Sequence, residues 1–169
     1  YACSKLMDEF LALAFHAERQ LPVTVARIFN TVGPRQTGRY GMVLPRFVEA
    51  AKAGEPLRVF GDGQQSRCFC HVSDTVEALL HLAKCDRAPG GVFNIGGTEE
   101  VSILNLAKRV IELTMSTSKI ELVPYAEAYD SGFEDMQRRK PVVDKLEAFT
   151  GFRPATPLDE IVRSTADLA

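Results

Sequence analysis

Apolar residues recur at helical spacing from the first positions of the chain. Leu6, Phe10, Leu13 and Ala17 share one face of Tyr1 to Gln20, a stretch without Gly or Pro. The pattern predicts a helix that stops at Gln20-Leu21-Pro22. Val23 to Phe29 is β-branched and nearly continuous in apolar character, as in a buried parallel strand. Breakers then crowd Asn30 to Gly41. Met42 to Ala53 reads as a helix closed by Gly54, Pro56 to Phe60 as a short strand, and Arg67 to Val72 as another. Ser73 is placed to cap a helix over Asp74–Lys84. Val92 to Ile95 predicts a strand, Ser102 the cap of a helix reaching about Met115, and Ile120 to Val123 a further strand. The polar segment Pro124 to Pro141 is too long for an idle connector. Two helices follow, near Val142–Thr150 and Leu158–Leu168. Strands alternating with helices give an α/β class with mostly parallel pairing.

The 169 residues carry 20 Lys plus Arg against 22 Asp plus Glu, a formal net charge of −2. That balance argues against a nucleic-acid coat or a polybasic membrane anchor. No apolar run approaches the ~18 residues needed to span a bilayer. Cys3, Cys68, Cys70 and Cys85 form no CxxC pair and have no His partner at zinc spacing, so reduced thiols in a cytoplasmic protein are expected and no metal site is assigned. Cys68 and Cys70 are expected on one face of a strand. The opening on Tyr1, already inside a helical pattern, suggests part of a longer protein.

Three clusters could carry chemistry. Tyr1 and Lys5 stand four apart, so a helix presents both on one face. An ammonium beside a phenol favours the phenolate, which can take a proton from a substrate hydroxyl while hydride leaves the same carbon. Read alone, the pair is an ordinary surface contact. Arg27-Ile28-Phe29-Asn30-Thr31-Val32-Gly33-Pro34-Arg35 lies where a strand runs out into a loop, the place where open α/β sheets bind ligands. Phe60-Gly61-Asp62-Gly63-Gln64-Gln65-Ser66-Arg67, continuing through Phe69 and His71-Val72-Ser73-Asp74, sets a turn beside an arginine on an apolar strand. Such an arginine suits a phosphate.

In this order and spacing the clusters resemble the NAD-dependent epimerase/dehydratase family, the extended short-chain dehydrogenases that act on nucleotide sugars. Asn94-Ile95-Gly96-Gly97 and Arg138-Arg139-Lys140-Pro141 extend the resemblance over essentially the whole chain. It implies the end of a Rossmann-type parallel-sheet domain over residues 1–34. A smaller α/β substrate-binding domain would occupy residues 35–169, with about 69–97 returning to the first. The family's Gly-x-x-Gly-x-x-Gly loop, the acid that reads the adenosine ribose and the catalytic Ser/Thr all lie upstream of the tyrosine and are outside this chain, so alone it should neither bind NAD tightly nor turn over.

The resemblance assigns roles residue by residue. Tyr1 would be the proton acceptor, Lys5 would hold the nicotinamide ribose and tune Tyr1, and Phe29 would touch the nicotinamide end of NAD. Asn30 would hydrogen-bond the substrate near its diphosphate. Val43 and Phe47 would line the nucleotide pocket, with Arg58, Val59 and Phe60 passing the base and Arg67 and Arg139 clamping the diphosphate. Read alone, Arg138-Arg139-Lys140 is a solvated charge run. His71 is expected to be scaffold, and His16 and His81 receive no role.

The function implied is a UDP-sugar 4-epimerase working through a 4-keto intermediate. UDP-glucuronate decarboxylase or another dehydratase is the alternative within the family, because Gln137-Arg138-Arg139-Lys140-Pro141 resembles the decarboxylase stretch. From another class, a non-catalytic sensor of the dinucleotide or nucleotide sugar would have no reason to keep Tyr1 and Lys5 together. The helix carrying both residues implies a homodimer.

Overall fold

The computed structural model describes residues 1–36, 38, 42–128 and 136–167. Its elements in chain order are α1 (Ala2–Arg19), β1 (Val25–Ile28), β2 (Thr31–Val32), α2 (Val43–Ala53), β3 (Leu57–Phe60), β4 (Ser66–Cys68), β5 (Cys70–His71), α3 (Val72–Ala83), β6 (Val92–Ile95), β7 (Glu100–Ser102), α4 (Ile103–Leu113), β8 (Ile120–Val123), α5 (Tyr125–Ala128), β9 (Arg138–Arg139), α6 (Asp144–Thr150) and α7 (Leu158–Asp167). β1 pairs with β6, β2 with β5, β3 with β8 and β4 with β9, all parallel; β7 joins β4 antiparallel. The class is α/β with predominantly parallel strands, as the alternating pattern predicts.

Two apolar cores organise these elements. In the larger, Leu44, Phe47, Val48 and Ala51 of α2 meet Leu57 and Val59 of β3, Leu106 and Val110 of α4, and Ile161 and Val162 of α7. The apolar residues of α2, α4 and α7 recur at three- and four-residue steps, so each helix buries one stripe. The smaller core gathers Ala78 and Leu82 of α3, Phe93 and Ile95 of β6, Leu146 of α6, and Ala88 from the turn before β6. Local chemistry sets the ends. Ser102 caps α4, its hydroxyl accepting the Asn105 N–H at 3.2 Å. Gly54 ends α2 in the left-handed region at φ 71°.

Four expectations are corrected. The strand expected over Arg67–Val72 is two strands in different sheets, broken at buried Phe69. Gly97 crosses at that break so closely that a Cβ there would lie 2.0 Å from the Phe69 carbonyl oxygen. Cys68 and Cys70 therefore sit on separate strands, both buried, and burial pushes both thiols above their ordinary pKa. The cap of α3 is His71, not Ser73: its ring nitrogen accepts the Ser73 N–H at 3.2 Å, and the helix starts at Val72. β1 is only half-buried and Ile28 is exposed, because β6 is its one partner strand among the described residues. α1 forms as predicted, but Leu6 and Phe10 stay exposed and the helix buries no residue. Among the described residues no helix is long and apolar enough to cross a membrane.

Candidate functional site

Between α2 and the ends of β3 and β4 lies a cavity of about 520 Å³. Asn30, Val43, Phe47, Arg58, Phe60 and Arg67, all expected at the substrate, line it together. They come from distant parts of the chain, and the fold brings them to one hollow. Val59, expected beside them, alternates with Arg58 and Phe60 along β3. Its side chain is fully buried in the larger core and does not reach the cavity.

Asn30 is held firmly. Its backbone adopts φ 38°, a left-handed conformation that Asn tolerates better than most residues. Its side-chain amide donates to the Cys68 carbonyl at 2.8 Å, and its own carbonyl accepts the Cys70 N–H at 3.2 Å. Arg67 donates to the carbonyls of Ser66 and Met136, each at 2.7 Å. Arg58 lies 3.7 Å from Glu121, its parallel partner on β8.

Arg139 stands outside the cavity wall, in register with Arg67 across β9 and β4. Its guanidinium lies 5.0 Å from the centre of the Phe29 ring, a cation–π seat. Phe29 sits at the carboxyl end of β1, its N–H donating to the Ile95 carbonyl at 2.9 Å. The residue expected at the nicotinamide and an arginine expected at the diphosphate are thus neighbours.

Tyr1 and Lys5 begin α1, which runs antiparallel to β1. Glu9 pairs with Arg27 late in the strand, its oxygens 2.6 and 2.9 Å from the guanidinium, while His16 meets the Leu21 carbonyl before it. The first turn of α1 therefore extends beyond the carboxyl end of β1. Tyr1 is 96% exposed. Lys5 bonds Asp8 at 2.6 Å, and this hydrogen bond is the main reason its pKa lies above the ordinary value. His71 bridges Ser73 and Ser164 as scaffold.

The expected set left out several cavity residues. Gln65 is buried and donates to the Phe60 carbonyl at 3.0 Å. Tyr125 packs on the turn at Gly61, where a Cβ would come within 2.3 Å of its ring. Glu49 lines the wall from α2 and accepts the Gly38 N–H at 3.0 Å. The aromatic after Pro124, at the end of a strand, was the one available signal for Tyr125. Beside the site, Glu100 accepts two bonds from Arg138, at 2.8 and 2.9 Å, and one from Ser66 at 2.5 Å. The Arg138 guanidinium, then the Ser66 hydroxyl, draw its pKa from 4.5 down to about 2.

Known proteins resemble the chain in sequence and fold. Residues 1–96 match the family described as NAD dependent epimerase/dehydratase. Over 166 residues the chain is 43% identical to UDP-N-acetyl-alpha-D-glucosaminuronate decarboxylase of Bacillus cytotoxicus, spanning 98% of this chain and 51% of that protein. It is 39% identical over 158 residues to UDP-glucuronic acid decarboxylase 4 of Arabidopsis thaliana, spanning 94% of this chain and 34% of the relative. UDP-N-acetylglucosamine 4-epimerase from Methanobrevibacter ruminantium M1, solved with UDP-N-acetylmuramic acid, superposes with a TM-score of 0.88 at 27% identity, over 99% of this chain and 52% of that one. The chain thus spans about half the length of these proteins, or less.

Proposed function

The chain belongs to the NAD-dependent epimerase/dehydratase family, and from that premise we propose that it supplies the substrate-binding half of an enzyme acting on UDP-sugars. The observation that carries this reading is the cavity where Asn30, Val43, Phe47, Arg58, Phe60 and Arg67 converge. Its apolar wall suits a base and ribose, and Phe60 offers an aromatic face for stacking. Arg67 and Arg139, side by side on β4 and β9, suit a diphosphate. In this reading the smaller core, with α1 and β1, is the end of the nucleotide-binding domain, and the larger core is the substrate domain.

The residues present fit NAD at one end only. The exposed first turn of α1 offers Tyr1 and Lys5, and Phe29 closes the carboxyl end of β1, the edge where such sheets bind dinucleotides. When bound, NAD supplies a hydride acceptor for C4 of the sugar. Tyr1 takes the proton of the C4 hydroxyl, and Lys5 holds the nicotinamide ribose. Arg67 and Arg139 hold the diphosphate, so binding energy from the nucleotide positions the sugar. The 169-residue chain alone is expected to remain inactive.

Decarboxylation of a UDP-uronate is the chemistry the relatives favour, since both proteins of higher identity bear decarboxylase names. Oxidation at C4 turns the uronate into a β-keto acid. Such an acid would lose carbon dioxide from C5 and take a proton there, and NAD, held at Tyr1, Lys5 and Phe29, would supply the redox chemistry at C4. The sequence resemblance put 4-epimerisation first. It stands as the second reading, supported by the superposition on a 4-epimerase, and would require the sugar to turn its opposite face at C4 toward the cofactor. A homodimer through the apolar residues of α1 belongs to the same proposal.

Mass spectrometry of products from the full-length protein tests it, using UDP-glucuronate, UDP-N-acetylglucosaminuronate and UDP-glucose. Loss of carbon dioxide from a uronate is the expected result. A new stereoisomer of unchanged mass would establish the epimerase. No reaction despite bound NAD would overturn both in favour of a sensor.

A further inference from the structure

We propose that Glu100 is a positioning residue for the diphosphate site: its carboxylate fixes β9 on β4 and so holds Arg139 beside Arg67. The inference rests on the reading that these two arginines grip a diphosphate.

β9 has only two residues, both exposed, so burial does not hold it in place. A backbone bond from the Ser66 N–H to the Gln137 carbonyl, 2.8 Å, ties its entrance to β4. The parallel pairing with β4 and the Arg67 bond to the Met136 carbonyl add to it, and a cluster of charged side chains fixes it further. Both Glu100 oxygens accept from the Arg138 guanidinium, a two-point pairing that fixes orientation as well as distance. The same carboxylate accepts the Ser66 hydroxyl. Glu100 lies on β7 and Arg138 on β9, with β4 between them. One carboxylate therefore spans all three strands of the sheet.

The register gives this clamp its consequence. Ser66 is paired with Arg138 and Ser102, and Cys68 with Glu100, so Glu100, Ser66 and Arg138 share one face. Neighbouring residues on a strand point to opposite faces, which places Arg67 and Arg139 together on the other. Holding Arg138 on one face thus presents Arg139 on the reverse, where its guanidinium meets the Phe29 ring. Glu100 acts through the backbone of β9 without touching the ligand.

The test uses the full-length holoenzyme and UDP as the probe, with affinity read by calorimetry. Glu100→Gln keeps the shape and removes the charge. It is expected to weaken UDP binding about tenfold, the scale of one charge-assisted bond, with bound NAD and kcat little changed. Placed on Arg139→Ala, the same change should weaken UDP less than about twofold, because its route to the ligand is already gone. Equal weakening in both backgrounds, or a lower melting temperature with unchanged affinity, would overturn the proposal. If Arg139→Ala weakens UDP while Glu100→Gln does not, the positioning role alone fails. If neither does, the diphosphate reading fails and takes the proposal with it. Should Glu100→Gln not fold, Arg138→Lys keeps the charge, loses the two-point fork and must give the same pattern.

Discussion

Arg67 and Arg139 are direct partners across two parallel strands, facing the same side of the sheet. Two guanidiniums held in register make a receptor for a group that bears two negative charges. Each arginine is also restrained from elsewhere, Arg67 by the Ser66 and Met136 carbonyls and Arg139 by the Phe29 ring. Alanine at either position is expected to raise the KM for a UDP-sugar by about tenfold or more. If both grip one dianion, as proposed, the double variant should lose less than the product of the two. Steady-state kinetics of the full-length enzyme, with UDP as competitor, measure this directly.

Tyr1→Phe removes the phenol oxygen from an exposed position and leaves the cavity as it is. Turnover should fall by about a hundredfold or more while UDP affinity holds, the signature of a lost proton acceptor. A variant that binds UDP normally and still turns over at the native rate would exclude Tyr1 from the proton transfer.

The clamp at Glu100 carries a pH signature. Its carboxyl is depressed from 4.5 to about 2 in the folded protein, first by Arg138. A depressed carboxylate contributes stability that is complete above its unfolded value and is lost as pH falls through the folded one. The stability difference between the native protein and Glu100→Gln should therefore be constant near neutrality. It should shrink as pH drops from about 4.5 toward 2, as urea titrations across that range would show.

Gly97 and Gly151 separate two reasons for glycine. Alanine at Gly97 would drive a methyl to 2.0 Å from the Phe69 carbonyl oxygen, so backbone must move at the crossing of two sheets. A loss of about 3 kcal/mol is expected. At Gly151 nothing lies within 4 Å, but φ is 71°, and alanine should cost about 1 kcal/mol. Denaturant unfolding of both variants gives the ratio.

The readable parts of the fold are those fixed by local chemistry. Ser102 announces α4 and Gly54 ends α2, because a cap or a left-handed residue needs only its own neighbours. The break at Phe69 was hidden, since it arises from Gly97, far along the chain, pressing on a strand whose own residues favour continuing. Val59 shows a different gap: resemblance supplied Arg58, Val59 and Phe60 as a set, whereas alternation along β3 turns the middle side chain to the core. Gln65, Glu49 and Tyr125 reach the cavity through packing that no spacing encodes. The seat of Arg139 on Phe29 joins residues more than a hundred positions apart.

The two cores alternate along the chain. Residues 32–69 build the larger, 78–95 the smaller, 103–110 the larger again, Leu146 the smaller, and 158–162 the larger once more. No single cut can free one lobe from the other, and neither can be moved to another protein as one uninterrupted cassette. Any swing of one lobe must bend several connecting segments together, among them the run through Phe69 that carries the cavity wall into α3.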